Sequence, residues 1–210
     1  MPRPPVVSDR AVRYVTKLSE LNRSYMILMA MSGILAAVAL LTNSIPVLIG
    51  AMVIAPALPP LALIAFGAVN RKPGLAMQGI VSALVGLGIA VLASLATTWI
   101  LNVTRVIPVE TNLLSKELLD ERVTVGWYSA IAAVAAGISG IIALTERKTD
   151  TLVGVVAALA LVPAGSAAAI AFLSKDPIRG WGGLSLLGLN VALIIASGII
   201  TLLLIRPRRS

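Results

Sequence analysis

One ungapped offset of 104 residues pairs Pro59 with Pro163, Pro4 with Pro108 and Pro73 with Pro177 in a chain of 210 residues. The same offset pairs Gly33 with Gly137, Gly50 with Gly154 and Gly79 with Gly183, and matches Ala39-Leu40 to Ala143-Leu144 and Ala65 to Ala169. Alanine and leucine coincidences are cheap in an apolar chain, but prolines and glycines recurring in one register read as a duplication. Each half carries three stretches of membrane-spanning length. An odd number forces the second half to enter from the opposite side, which predicts two inverted repeats, a common plan among transporters.

The chain is 58% hydrophobic and 12% charged, with a mean hydropathy of +0.98, which excludes an ordinary soluble domain. Apolar stretches run over Tyr25–Leu41, Ile45–Val69, Leu75–Ile100, Val123–Leu144, Thr151–Leu173 and Leu184–Ile205, each near the roughly 20 residues a helix needs to cross hydrocarbon. The expected fold is all-α, six transmembrane helices in two inverted three-helix repeats, with an amphipathic interfacial helix before each. The segments are an amphipathic N-terminus over 1–23, a first repeat over 24–107, an amphipathic connector over 108–122, a second repeat over 123–205 and a basic tail over 206–210. The first span is followed at once by a second, which argues against a removable signal peptide.

The net charge of +8 belongs first to topology rather than to nucleic acid. Twelve Lys and Arg residues fall to one face: Arg3, Arg10, Arg13, Lys17, Arg23, Arg71, Lys72, Arg147, Lys148, Arg206, Arg208 and Arg209. Five fall to the other: Arg105, Lys116, Arg122, Lys175 and Arg179. The positive-inside rule then puts both termini in the cytoplasm of a multi-pass protein of the inner (plasma) membrane. Trp99, Trp127 and Trp181 fall near the opposite interface.

Ahead of the first span, Val7, Ala11, Tyr14, Leu18, Leu21 and Tyr25 recur at helical spacing, with Arg10, Arg13, Lys17 and Glu20 on other faces and Ser8 placed to cap. This pattern suits a helix on the cytoplasmic leaflet, its basic residues drawn to anionic headgroups; a coiled-coil seam between subunits is the alternative. Ser82, Gly86, Ala90, Ser94 and Thr98 form a small-residue stripe, and Ala132, Ala136 and Gly140 another. Such stripes serve close packing within a subunit or an interface between subunits. A homo-oligomer is expected, with a dimer favoured.

The second span, GAMVIAPALPP, sets Pro56, Pro59 and Pro60 near its middle, and the fifth, GVVAALALVPAGSA, sets Pro163 ahead of Gly165 and Ser166. Each proline in a helix leaves the carbonyl four residues earlier without its partner, here Met52, Ala55, Pro56 and Leu159. Two matching breaks in inverted spans would meet near the midplane and form a substrate site. Asn190, an amide deep in the sixth span, either joins helices or contacts substrate. Serine and threonine at depth mostly bond back to their own helix. The tight outer turn at Asn43 suits a turn role.

Absences narrow the chemistry further. There is no cysteine and no histidine, and all nine acidic residues read as lying in termini or connectors. No catalytic set, metal site or cofactor is expected, and an enzyme is not. Nor is there a titrating midplane acid for ordinary proton coupling.

The stretch SIPVLIGAMVIAPALPPLALIAFGAV and the later GVVAALALVPAGSAAAIAFL resemble the prokaryotic membrane family catalogued as domain of unknown function 389. There, a Gly-Ala-Met segment ending in Ser/Ala-Pro is followed by a later Ala-Leu-Val-Pro-Pro segment. The resemblance spans Ser24 to Ile205, with Ala164 standing where the family commonly has a second proline. It implies a polytopic inner-membrane protein and brings no settled activity.

The expected function is a secondary transporter or carrier of a small ion or small polar solute, bound between the second and fifth spans at Met52, Ala55, Pro56, Pro59, Pro60, Leu159, Pro163, Gly165, Ser166 and Asn190. Freed carbonyls would favour a cation and half-helix N-termini an anion. A channel, or a non-transporting protein that organises lipid, stands as the alternative.

Overall fold

The computed structural model describes residues 7–104, 118–119, 126–146, 152–174 and 177–205, with the side chains of residues 146 and 152–160 outside that description. Every regular element among the described residues is an α-helix. The helices are α1 (Asp9–Leu18), α2 (Arg23–Thr42), α3 (Ile45–Ile54), α4 (Leu58–Val69), α5 (Pro73–Val103), α6 (Trp127–Glu146), α7 (Leu152–Phe172) and α8 (Ile178–Leu204).

Their ends follow from local chemistry. The Ser8 hydroxyl accepts the Ala11 N–H at 3.2 Å and opens α1, and the Asn22 side chain accepts the Tyr25 N–H at 2.8 Å and opens α2. Asn43 stops α2 by adopting the left-handed conformation, φ 55°, and the following Ser44 N–H donates to Ala39 O at 2.8 Å. Pro73 occupies the first position of α5, where a missing N–H leaves nothing unpaired.

Four helices, α2, α5, α6 and α8, are long and apolar enough to cross a membrane, and α3 with α4 makes a fifth if the 47° bend between them lies within one span. Leu161–Phe172, the part of α7 with described side chains, is a shorter apolar helix.

The 104-residue register reappears as contact geometry. A side chain on Gly33 of α2 would run into the backbone of Ala90 on α5, and one on Gly137 of α6 into Ile194 of α8, with the Ile194 carbonyl oxygen 2.5 Å away. On Gly79 it would come within 2.9 Å of the Ile64 amide nitrogen, and on Gly183 within 3.0 Å of that of Ala168. In both cases the two partners are again 104 residues apart. Helix pairing repeats likewise: α2 packs on α5 as α6 does on α8, and α4 on α5 as α7 does on α8. Between the halves, α5 packs on α7 and α8 on α4.

The apolar side of α1, Val7, Ala11, Val12 and Val15, is buried with Ala62, Leu63 and Phe66 of α4, Ile141 of α6 and Leu202 of α8. Here the structure departs from the expected stripe. Leu18 and Leu21 are exposed and Tyr14 is half-buried, while Val12 and Val15, outside the expected stripe, are buried in the bundle. The Val7 N–H donates to Asn70 Oδ1 at 3.4 Å, tying α1 to the α4–α5 turn. The same end therefore gathers α1, that turn and the C-terminal parts of α6 and α8. Trp99, near the C-terminus of α5, and Trp127 and Trp181, which open α6 and α8, belong to the opposite end, each more than half exposed.

Both small-residue stripes are spent within the subunit. Gly86 lies beneath the Tyr25 ring, Ala90 against Gly33, and Gly140 against Leu58. The second amphipathic helix expected over 108–122 falls outside the described residues except for Leu118, whose N–H donates to Asn43 Oδ1 at 3.3 Å, and Leu119, which is buried. The tail over 206–210 also lies outside them.

Candidate functional site: the broken helix

Pro56 has no N–H to offer the Met52 carbonyl, and the residue ahead of a proline is pushed out of the helical region. Ala55 accordingly turns extended, φ −70° and ψ 116°, and α3 ends at Ile54. The chain re-enters a helix at Leu58, with Pro59 and Pro60 in its first turn. Both positions lack an intrahelical acceptor in any helix, so their missing N–H groups leave no carbonyl stranded. This corrects the expectation that Pro59 and Pro60 free the Ala55 and Pro56 carbonyls within a continuing helix. The orphan carbonyls belong to the last turn of α3, Ala51 to Ile54, as at any helix C-terminus.

One of these is satisfied from a neighbouring helix. The Ser32 hydroxyl of α2, fully buried, donates to Ala51 O at 2.7 Å. Met52 and Ala55 are buried in one cluster with Val162 and Ala167 of α7, and Ala57, Leu58 and Leu61 in another with Leu161 of the same helix. The α3–α4 break thus lies against the Pro163 region of α7.

The two sites are not equivalent in backbone. Pro163 lies inside a continuous α7, not at a break. A single proline followed by Ala164, Gly165 and Ser166 leaves room for a helix to continue, whereas Pro56 is followed within four residues by two more prolines. Pro163, Ala164, Gly165 and Ser166 are all buried. Leu159 lies within α7, its side chain outside the described residues.

A hydroxyl pair joins α5 to α7 here. Ser94 Oγ donates to Gly33 O at 2.8 Å, so the 2.7 Å bond between Ser94 Oγ and Ser166 Oγ takes its proton from Ser166. Thr97, Thr98, Ser139 and Thr201 bond back to their own helices as expected. Ser32, Ser82 and Ser94 instead donate across the bundle. Hydropathy gives all of these hydroxyls the same signal; what separates them is a carbonyl on a neighbouring element, Ala51 O for Ser32, Ser19 O for Ser82 and Gly33 O for Ser94. Asn190, fully buried on α8, donates to Ser129 Oγ of α6 at 2.9 Å. Among the described residues no cluster of three or more acidic, histidine or cysteine side chains could hold a metal.

Pro56 also lines a cleft of about 510 Å³ that opens beside the α1–α2 junction, with Lys17, Glu20, Asn22, Tyr25 and Leu28 on its walls.

The profile of the family described as Domain of unknown function (DUF389) matches residues 52–196, a range that takes in the end of α3, the break and Pro163. The chain belongs to this family. An uncharacterized protein of Methanocaldococcus jannaschii is 23% identical over 158 residues, 75% of this chain and 47% of the relative. The chain thus spans about half the length of that curated protein. No solved structure matches.

Proposed function

We propose that the protein is a six-span membrane carrier of a small ion or small polar solute, built as two inverted three-helix repeats, with its substrate held at the α3–α4 break against α7. The observation that carries this reading is the broken helix itself. Backbone that leaves its helix at membrane depth is tolerated where protein buries it or where it lines a pathway, and discontinuous helices are where carriers hold substrates.

Inversion is supported by the two neighbours of one point on α4. Ile64 packs on Gly79 in the early turns of α5, while the adjacent Ala65 lies beside Gly198 in the late turns of α8. Those helices are repeat mates, and meeting the same level with opposite ends corresponds to opposite directions. The clustering of α1, the α4–α5 turn and the C-terminal parts of α6 and α8 at one end matches the basic face expected in the cytoplasm.

For the substrate, the chemistry of the break favours a cation or a solute that donates hydrogen bonds. The last turn of α3 offers carbonyls, while Pro59 and Pro60 strip two donors from the start of α4 and weaken it as an anion site. The test is a thermal-shift panel of monovalent cations and small polar solutes on purified protein, followed by flux of any stabilising species into liposomes. Pro56→Ala should diminish both readouts, and Ser32→Ala, which releases the Ala51 carbonyl, should alter them. A panel that stabilises nothing, or flux indifferent to both substitutions, would move the site away from the break. Single-channel currents would assign the flux to a pore instead.

A further inference from the structure

The cleft beside the α1–α2 junction has an uneven lining. Lys17 and Glu20 at the end of α1, with Asn22 and Ser24 at the start of α2, make one part polar; Leu28, one turn further along α2, and Pro56 at the break make another part apolar. Leu18 on its wall is exposed, and so are Leu21, Ile27 and Met31 nearby in sequence. A polar mouth that grades into an apolar wall, continued by an exposed apolar helix face, fits an amphiphile better than a wholly water-soluble ligand.

The charge around it has a sign. Six exposed cations, Arg10, Arg13, Lys17, Arg23, Arg71 and Lys72, stand on α1, the start of α2 and the α4–α5 turn, against two exposed acids, Asp9 and Glu20. Asp9 is engaged by Lys72 at 3.7 Å, and Lys17, on the cleft wall, makes no ion pair among the described residues. The burial of Val12 and Val15 in the bundle fixes the face α1 presents, so Lys17 is held at the cleft.

We propose that this cleft binds one anionic phospholipid, its phosphate at Lys17 and an acyl chain along Leu18 and Leu28 toward Pro56. The headgroup is matched by the local excess of positive charge and the chain by the apolar wall. Glu20 opposes the phosphate and tunes the affinity downward. The site is independent of transport: it requires only that α1 and the break keep their places.

The test uses the full chain, purified in mild detergent and stripped of lipid, with phosphatidylglycerol and phosphatidylcholine of identical acyl chains titrated back. Native mass spectrometry reads retained lipid, and thermal unfolding reads stabilisation. Phosphatidylglycerol should be retained preferentially. Lys17→Gln should weaken it about fivefold, Lys17→Arg should restore it, and Glu20→Gln should strengthen it. Both side chains are exposed, so these variants should fold. Equal retention of the two lipids, or an unchanged Lys17→Gln variant, overturns the proposal. So does equal protection by soluble glycerol phosphate, which would identify a free-anion site. Binding that fails while cation or solute flux persists leaves the carrier reading intact; the reverse outcome would leave the lipid site standing alone.

Discussion

Asn190 of α8 grips Ser129 of α6 at 2.9 Å, and 104 residues earlier in the chain Gly86 of α5 lies directly beneath the hydroxyl of Tyr25 of α2. The two halves fasten equivalent helices at equivalent positions with different chemistry. In the first half the tyrosine reaches past the glycine and donates to Ser82 O at 3.1 Å. In the second, a short hydroxyl and an amide span the same gap. Asn190 therefore has a structural partner, which favours its helix-joining role over contact with substrate.

Ser129→Ala and Asn190→Ala should each lower stability modestly, and the double variant should reveal a coupling of about 0.6 kcal/mol, the average for hydrogen bonds between membrane helices. A double-mutant cycle of unfolding in detergent measures it. Flux should survive Ser129→Ala; its loss with stability intact would return Asn190 to the substrate path.

Glycine substitutions should divide by neighbourhood. Gly33→Ala would set a methyl against the Ala90 backbone and Gly137→Ala one against Ile194 O, and each should destabilise by about 1–3 kcal/mol. Gly88 and Gly188 have nothing within 4 Å of an added methyl, so alanine there should be neutral or gain about 0.5–1 kcal/mol. Thermal unfolding of the four variants side by side decides it, and equal behaviour of the two pairs would contradict the packing.

The prolines should also part company. Pro163→Ala restores an N–H inside continuous α7 and should raise stability, by up to about 3 kcal/mol. Pro59→Ala, in the first turn of α4, should stay within about 0.5 kcal/mol of the parent. A large loss on Pro59→Ala would mean that its ring, rather than its missing N–H, sets the bend.

Topology can be read without background, since the chain has no cysteine. Ser8→Cys and Arg71→Cys should react with an impermeant thiol reagent from one side of the membrane, and Asn102→Cys from the other. All three positions are exposed. Labelling of Ser8→Cys and Asn102→Cys from the same side would refute the arrangement of helix ends.

Much of this was legible in the residues because membrane length and proline chemistry are local properties. The register joining Gly33 to Gly137 and Gly79 to Gly183 survives in space because glycine contacts tolerate no side chain at all. What could not be read depended on neighbours. Val7, Ala11, Val12 and Val15 share one arc of α1 and Val7, Ala11, Tyr14 and Leu18 an overlapping one, and only the shape of the α4–α6–α8 end chooses between them. Pro163 has the same intrinsic tendency to break a helix as Pro56, but its setting among Ala164, Gly165 and Ser166 lets α7 run on. Ser32 and Ser94 carry no mark that separates them from the self-bonded Thr97; their partners, Ala51 O and Gly33 O, are supplied by other helices.

The meeting of Ala65 with Gly198 bears on how the protein is made. Synthesis runs from the N-terminus, so α4 leaves the ribosome long before α8, whose late turns cover it. Until then the face of α4 that will receive Gly198 stands open to lipid or to an insertion chaperone. The surroundings of the bent helix are complete only once the late turns of α8 are in place.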